Sequence, residues 1–388
     1  MNPFDYPKSV SLRDIKYSRA TIESERVFPE VMNWDGLLRW SIAQSDGTVP
    51  NRNLSEEDRK WFTEAMQAQT VDVIKRMKEI TQVMLAPEKV LLDQGIDPTN
   101  ILEMLDELQD HVESIDAAND LHTIGGLVPL LGYLNNSNAG IRAKAADVIT
   151  TIVQNNPKGQ QLVMEASGME PLFRNFSSDS DVSVRTKALG AISSLIRQNN
   201  PGITAFRLAN GYAALRDSLG SDNVRFQRKS LSLLKYLLHE NRSDCSVVTE
   251  LGFPRKMIYL VSSQDFDVRE AALRCILDLA YVHTPDIDNV LHGENEKLKE
   301  ILKIRIDHIT KMSDEDLNAA REECQLIDSL WQTMFNEAST LREKGLVNPG
   351  EDATKSLHRH SALAGPKSGE DSNTSSKKKD IPLLLLGL

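Results

Sequence analysis

One pattern comes round four times between Ala118 and about Pro285, and it restricts the fold more than any other feature of the chain. Gly126, Gly168, Gly211 and Gly252 stand 42, 43 and 41 residues apart. A second ladder runs through Ala145, Ala188, Ser230 and Ala272, at intervals of 43, 42 and 42. Four residues after each rung comes a branched aliphatic (Ile149, Ile192, Leu234, Ile276), and three further on another (Ile152, Leu195, Leu237, Leu279). In a helix these offsets share one face. A unit of this size cannot bury such a face alone, so neighbouring units must stack on one another.

The expected fold is therefore all-α: an armadillo/HEAT-like right-handed solenoid of about four repeats, two or three helices each, with helical caps at both ends. Residues 118–285 hold the repeats. Residues 54–117 form an N-terminal cap, in which Phe62, Met66, Val73, Met77, Ile80 and Met84 line a helix that stops before Pro87. Asp97-Pro98-Thr99-Asn100 opens a second helix whose outer face carries Glu103, Asp106, Glu107, Asp110 and Glu113, the pattern of a solvated acidic face. Residues 286–345 form the C-terminal cap. Residues 1–31 are a disordered or accessory extension, 32–53 a flexible segment, and 346–388 a tail of Gly, Ser, Lys, Asp and Asn too polar to fold.

Composition narrows the partners. A net charge of −11 argues against nucleic acid, whose recognition rests on a basic footprint. No apolar run approaches the roughly 18 residues of a membrane span. Cys245, Cys275 and Cys324 are scattered and odd in number, as expected of reduced thiols in a cytoplasmic protein, with the nucleus as an alternative address. No phosphate loop, nucleophile elbow or zinc-protease motif is present. His111 and His122 lack ligand spacing, so no catalytic residue, metal site or cofactor is assigned, and the chain is read as a monomeric binding protein rather than an enzyme.

The last helix of each repeat carries the information about a partner. Its apolar positions fix the core face, and the remaining row faces outward: Lys144, Asp147 and Thr151; Lys187, Gly190 and Ser194; Lys229, Ser232 and Tyr236; Ala271, Arg274 and Asp278. In armadillo arrays this row lines the concave groove, so these polar residues are the candidate contacts. Arrays that clamp basic peptides carry a Trp/Asn ladder here. In this chain Trp34, Trp40, Trp61 and Trp331 all lie outside the repeats, and the Asn positions hold Thr151, Ser194, Tyr236 and Asp278, which excludes that use.

Three flanking stretches are more specific: LSEEDRKWFTEAM at 54–66, LDELQDHVESIDAANDL at 105–121 and CQLIDSLWQTMF at 324–335. With the repeats between them they resemble the armadillo-type nucleotide exchange factors of the 70-kDa heat-shock chaperones, and the ending KKKDIPLLLLG is similar to plant members of that cytosolic family. The resemblance implies a co-chaperone whose concave face embraces the chaperone's ATPase domain, opens its nucleotide cleft and speeds release of ADP and then of client. It also implies a client-mimicking N-terminal segment, for which Trp34, Leu37, Leu38 and Trp40 are the candidates. The competing class is an armadillo scaffold or adaptor without exchange activity.

Overall fold

The computed structural model describes residues 56–282 and 285–347. The expectations for residues 1–31, for the segment with Trp34, Leu37, Leu38 and Trp40, and for nearly all of the tail lie outside the described residues, as do the side chains of Phe62 and Met66. Contacts divide the chain into two compact units that meet in sequence between Ile301 and Leu302.

The first unit opens with α1 (Glu56–Leu85), α2 (Glu88–Asp93) and α3 (Pro98–His111). Asp97 caps α3 in a reciprocal box with Asn100. Four three-helix repeats follow. The first comprises α4 (Ile115–Ile124), α5 (Leu127–Gly132) with a 3-10 turn at Tyr133–Asn135, and α6 (Ala139–Val153). The second comprises α7 (Pro157–Glu165), α8 (Met169–Ser178) and α9 (Val182–Ile196). The third comprises α10 (Asn200–Leu208), α11 (Gly211–Ser218) and α12 (Val224–Glu240). The fourth comprises α13 (Asp244–Glu250), α14 (Phe253–Leu260) and α15 (Phe266–Ala280). After them come α16 (Pro285–Gly293) and α17 (Asn295–Ile309), inside which the division between units falls. No strand occurs among the described residues.

The third helices hold the repeats together. All twelve residues of the aliphatic ladders (Ala145, Ile149 and Ile152 with their equivalents) are at most 2% exposed. Each buried Ile or Leu contributes about 2 kcal/mol relative to an exposed one, an upper figure because unfolded chains already bury some apolar surface. Two polar ladders keep the same period. Asn138, Asp181, Asn223 and Asp265 cap the third helices, accepting from the N–H of Ile141, Val184, Phe226 and Val268 at 2.9–3.2 Å. Four residues later, Arg142, Gln227 and Arg269 donate to carbonyls of the turn entering their own helix, and Arg185 donates to the Phe176 carbonyl in the last turn of α8. These bonds satisfy backbone groups that a tight turn would leave without partners.

The glycine ladder needs one correction of register. The left-handed backbone position that separates first from second helix falls on Gly125, Ser167, Asn210 and Gly252. Gly126, Gly168 and Gly211 are the residues after it, and the fourth repeat has Phe253 there. What those three glycines supply is close approach. A Cβ on Gly126 would lie 2.5 Å from Leu121 Cδ1, on Gly168 2.7 Å from Val163 Cγ1, and on Gly211 2.3 Å from Phe206 Cε1. The Asn-Asn-Pro triplet at 155–157 likewise does two jobs. Asn155 ends one helix with φ 53°, Asn156 caps the next, and Pro157 occupies its first turn.

Two acids expected on a solvated face are partners instead. Glu107 receives a two-pronged bond from Arg76 at 2.7 and 2.8 Å, and Asp106 pairs with Lys144. The described part of the second unit includes α18 (Asp314–Ala319), capped by Ser313, α19 (Arg321–Phe335) and α20 (Thr340–Glu343). α18 and α19 are separated by Ala320 alone. Buried Glu323 takes both prongs of Arg305 at 2.6 and 2.9 Å, and buried Asp328 accepts from Ser339 and Arg342.

Gly211→Ala should lower stability by about 1–3 kcal/mol, because the Phe206 ring cannot yield without repacking. Gly132→Ala, with nothing within 4 Å of the added carbon, should be neutral or stabilising. Thermal unfolding of both variants checks this pair, and equal effects would contradict the close-approach account.

The Arg142–Asp179 pair predicts an acid response. Burial raises the Asp179 carboxyl, but bonds from Arg142 (2.7 and 2.8 Å) and from the Asp181 N–H (2.9 Å) outweigh it and hold the group below its ordinary 3.8. Its stabilising contribution is present above the unfolded value and is lost as pH falls through the lowered folded value. Urea unfolding at pH 7 and pH 3 should therefore show a smaller loss on acidification in Arg142→Met than in the natural chain.

Candidate partner-binding strip

The outward rows of successive third helices touch one another. Lys144 Nζ donates to Gln109 Oε1 at 2.6 Å on α3, and the same Gln109 donates through Nε2 to Thr151 Oγ1 at 2.9 Å. Lys187 Nζ reaches back from α9 to Asp147 Oδ2 on α6, again at 2.6 Å. The Lys229 ammonium of α12 lies over Gly190 of α9, where an added Cβ would stand 2.9 Å from it. In the second and third repeats the first residue of the row reaches the middle residue of the row before. The middle residue is a carboxylate for Lys187 and a bare glycine for Lys229.

That difference leaves Lys229 without a counter-ion. It is half-buried and makes no hydrogen bond or ion pair with any described residue. Burial depresses its pKa, Arg225 and Lys187 depress it further, and Asp147 opposes them. Lys235, six residues along α12 and in the field of α15 rather than α9, is also half-buried: burial and Arg274 lower its pKa, while Asp278 pulls the other way. Asp278 is itself raised by burial, against the field of Lys235, Arg274, His239 and Arg242. The strip thus runs from Asp106 on α3, paired with Lys144, to the cations Arg225, Lys229 and Lys235 on α12.

The remaining candidates are placed as follows. The Tyr236 hydroxyl accepts from the Gln198 N–H at 2.8 Å, and the Arg197 guanidinium lies 4.7 Å from its ring centroid, so one face of the ring is already covered. The Ser194 carbonyl accepts from Gln160 Nε2 at 3.0 Å. Ser232 is exposed and Arg274 half-buried. Of the row, Lys144, Asp147, Thr151 and Lys187 are thus already engaged, with one another or with Asp106 and Gln109. Sequence reading missed Gln109, Arg225 and Lys235. Lys235 falls off the i, i+3, i+7 row that Lys229, Ser232 and Tyr236 define, so spacing within α12 did not point to it. Gln109 sits in a non-repeated helix and gave no signal. All three cysteines are buried free thiols, and no group of three His, Cys, Asp or Glu is placed to hold a metal ion among the described residues. None of the described helices is long and apolar enough to cross a membrane.

Comparison with known proteins gives a consistent picture. Among solved structures, the chain superposes on computationally designed armadillo repeat proteins for modular peptide recognition with a TM-score of 0.52, at 15% identity, over 66% of this chain and 99% of the other. That likeness establishes the fold. Hsp70-binding protein 1 of Homo sapiens is 26% identical over 313 residues, covering 78% of this chain and 86% of that protein. Hsp70 nucleotide exchange factor FES1 of Gibberella zeae is 30% identical over 150 residues, covering 37% of this chain and 67% of that protein. Residues 34–121 match the family described as nucleotide exchange factor Fes1, and residues 117–250 match the SIL1/FES1/HPBP1 C-terminal domain. The two matches meet where the acid-rich helix runs into the first repeat, and together they make the chain a member of the SIL1/FES1/HPBP1 family.

Proposed function

We propose that the chain is a co-chaperone, a nucleotide exchange factor for a 70-kDa heat-shock chaperone, and that it grips the chaperone's ATPase domain with the third-helix strip on the concave side of the repeats. Family membership across both the N-terminal and the repeat segments carries the reading. The strip supports the finer part of it. Lys229 and Lys235 carry half-desolvated charges that the chain leaves unmatched, and an acidic partner surface would complete them. The buried free thiols fit a reducing compartment, which favours the cytoplasm. We take the working form to be a monomer acting on protein alone, with neither nucleic acid nor membrane as a partner.

No bond need be made or broken by this chain. A protein that binds the open-cleft state of the ATPase domain better than the closed one shifts the population toward opening. It must then lower ADP affinity by the same factor by which ADP lowers its own. The requirements are a stiff surface and differential affinity. Stacked third helices supply stiffness, because the inner two, α9 and α12, are each packed between two others. The polar row supplies the contact.

Two predictions follow from the unpaired lysines. Lys229→Glu with Lys235→Glu should weaken chaperone binding by about tenfold or more, as expected when attraction becomes like-charge repulsion at a part-buried site. Far-UV dichroism should be unchanged. Unaltered affinity with intact helicity would remove the strip from the interface. In the other direction, Lys229→Met should raise the melting temperature at pH 7. The charged form is penalised in the fold below its depressed pKa, and that penalty vanishes only as pH climbs toward the unfolded value of 10.5. A variant that melts higher yet binds less well is the expected signature of a residue kept for its partner.

A further inference from the structure

A cleft of about 720 Å³ opens between the turn after α11, helix α14 and the turn before α15. It lies on second helices and their turns, and shares no residue with the third-helix strip. Quasi-equivalent positions explain why it exists here. In the second repeat, Arg174 donates to Asn135 Oδ1 and Asn175 Nδ2 donates to the Leu134 carbonyl at 2.9 Å, tying α8 to the turn of the repeat before. Two repeats on, the counterparts of Arg174 and Asn175 are Tyr259 and Leu260, and the counterpart of Asn135 is Gly220. Both halves of the bridge are gone. Gln227 takes the Leu219 carbonyl instead, at 3.2 Å.

What lines the opened space is chemically mixed. Leu219 and Leu260 are buried and form an apolar floor. The Tyr259 side chain stands 70% exposed, among the most exposed of the large hydrophobic residues described. Lys256 is half-buried, with its ammonium beside Gly220, where an added Cβ would lie 3.3 Å away. Neither Lys256 nor exposed Lys297 makes a hydrogen bond or ion pair with any described residue. Arg255 bonds Glu294 at 3.1 Å while its own side chain remains 77% exposed. Against these cations the lining holds one carboxylate, Asp222.

We propose that this cleft is a second binding site, for an acidic peptide segment: carboxylates on Lys256 and Lys297, and an apolar or aromatic side chain against Tyr259 and the leucine floor. The open mouth suits a chain passing across it. The exposed serine hydroxyl of Ser262 and that of Ser221 offer partners to a peptide backbone. Aromatic rings standing free beside unpaired cations are the anchors that recur in protein interfaces. The site is independent of exchange activity.

The test uses the full chain and a fluorescein-labelled decapeptide rich in Glu with one Phe, followed by anisotropy. Its control is the same peptide with Gln replacing every Glu. Saturable binding of the acidic peptide, absent for the control, is expected. Lys256→Gln with Lys297→Gln should weaken it about tenfold, and Tyr259→Ser should weaken it independently. Gly220→Asn with Tyr259→Arg, which restores the bridge of the second repeat, should abolish it while leaving helicity and exchange unchanged. No saturable binding, equal binding of the Gln peptide, or affinity indifferent to all these variants would overturn the proposal. Complete displacement by inorganic phosphate together with indifference to Tyr259→Ser would reduce the cleft to a small-anion site, and so also overturn it.

Discussion

Everything in the repeat region depends on the inability of a three-helix unit to bury its own third helix. In α9, Ala188, Ile192 and Leu195 have no exposed surface at all, and the burial comes from the flanking third helices as well as from α8. The small residue heading each stripe permits that approach. Where it is Ser230 rather than alanine, the hydroxyl is fully buried and satisfied, donating to the Phe226 carbonyl at 2.8 Å and accepting from Ser218 at 2.7 Å. A hydroxyl left unpaired there would cost about 1–3 kcal/mol, so the substitution is tolerated only with Ser218 opposite.

The same stacking creates the candidate interface. Once the core face of a third helix is fixed, its outward row must lie beside the rows of its neighbours, and side chains there must either pair with each other or wait for a partner. The N-terminal half of the strip follows the first course, with Lys144, Asp147, Thr151, Lys187 and Gln109 in one chain of bonds. The C-terminal half follows the second. Gly190 deprives Lys229 of the carboxylate that Asp147 gives Lys187, and Lys235 has only a burial-weakened Asp278 in its neighbourhood. Charge left unmatched in a part-buried place is unfavourable for folding alone, which is why this half, rather than the satisfied half, is assigned the partner.

Much of this was legible in the sequence because it rests on period. The four repeats, the buried stripes and the membership of the outward row all follow from spacing within one helix. Features that depend on the offset between helices were not legible. Lys187–Asp147 and Lys144–Gln109 are set by how far one third helix slides along the next, and no intrachain period encodes that. The glycine ladder shows the limit from another side. Gly252 kept the period within one residue, yet its role is left-handed backbone, whereas Gly126, Gly168 and Gly211 exist for want of a Cβ. The cap ladder at Asn138, Asp181, Asn223 and Asp265 was in plain view, hidden only because Asn alternates with Asp.

The central claim is that a surface without chemistry changes a partner's affinity for nucleotide. The most direct measurement is release of a fluorescent ADP analogue from a cytosolic 70-kDa heat-shock chaperone as the full chain is added. The account predicts acceleration that saturates with concentration, the mark of a complex in which the open cleft is favoured. Binding of the chaperone with no change in the release rate would contradict it, and would leave an armadillo adaptor that occupies the chaperone without opening it.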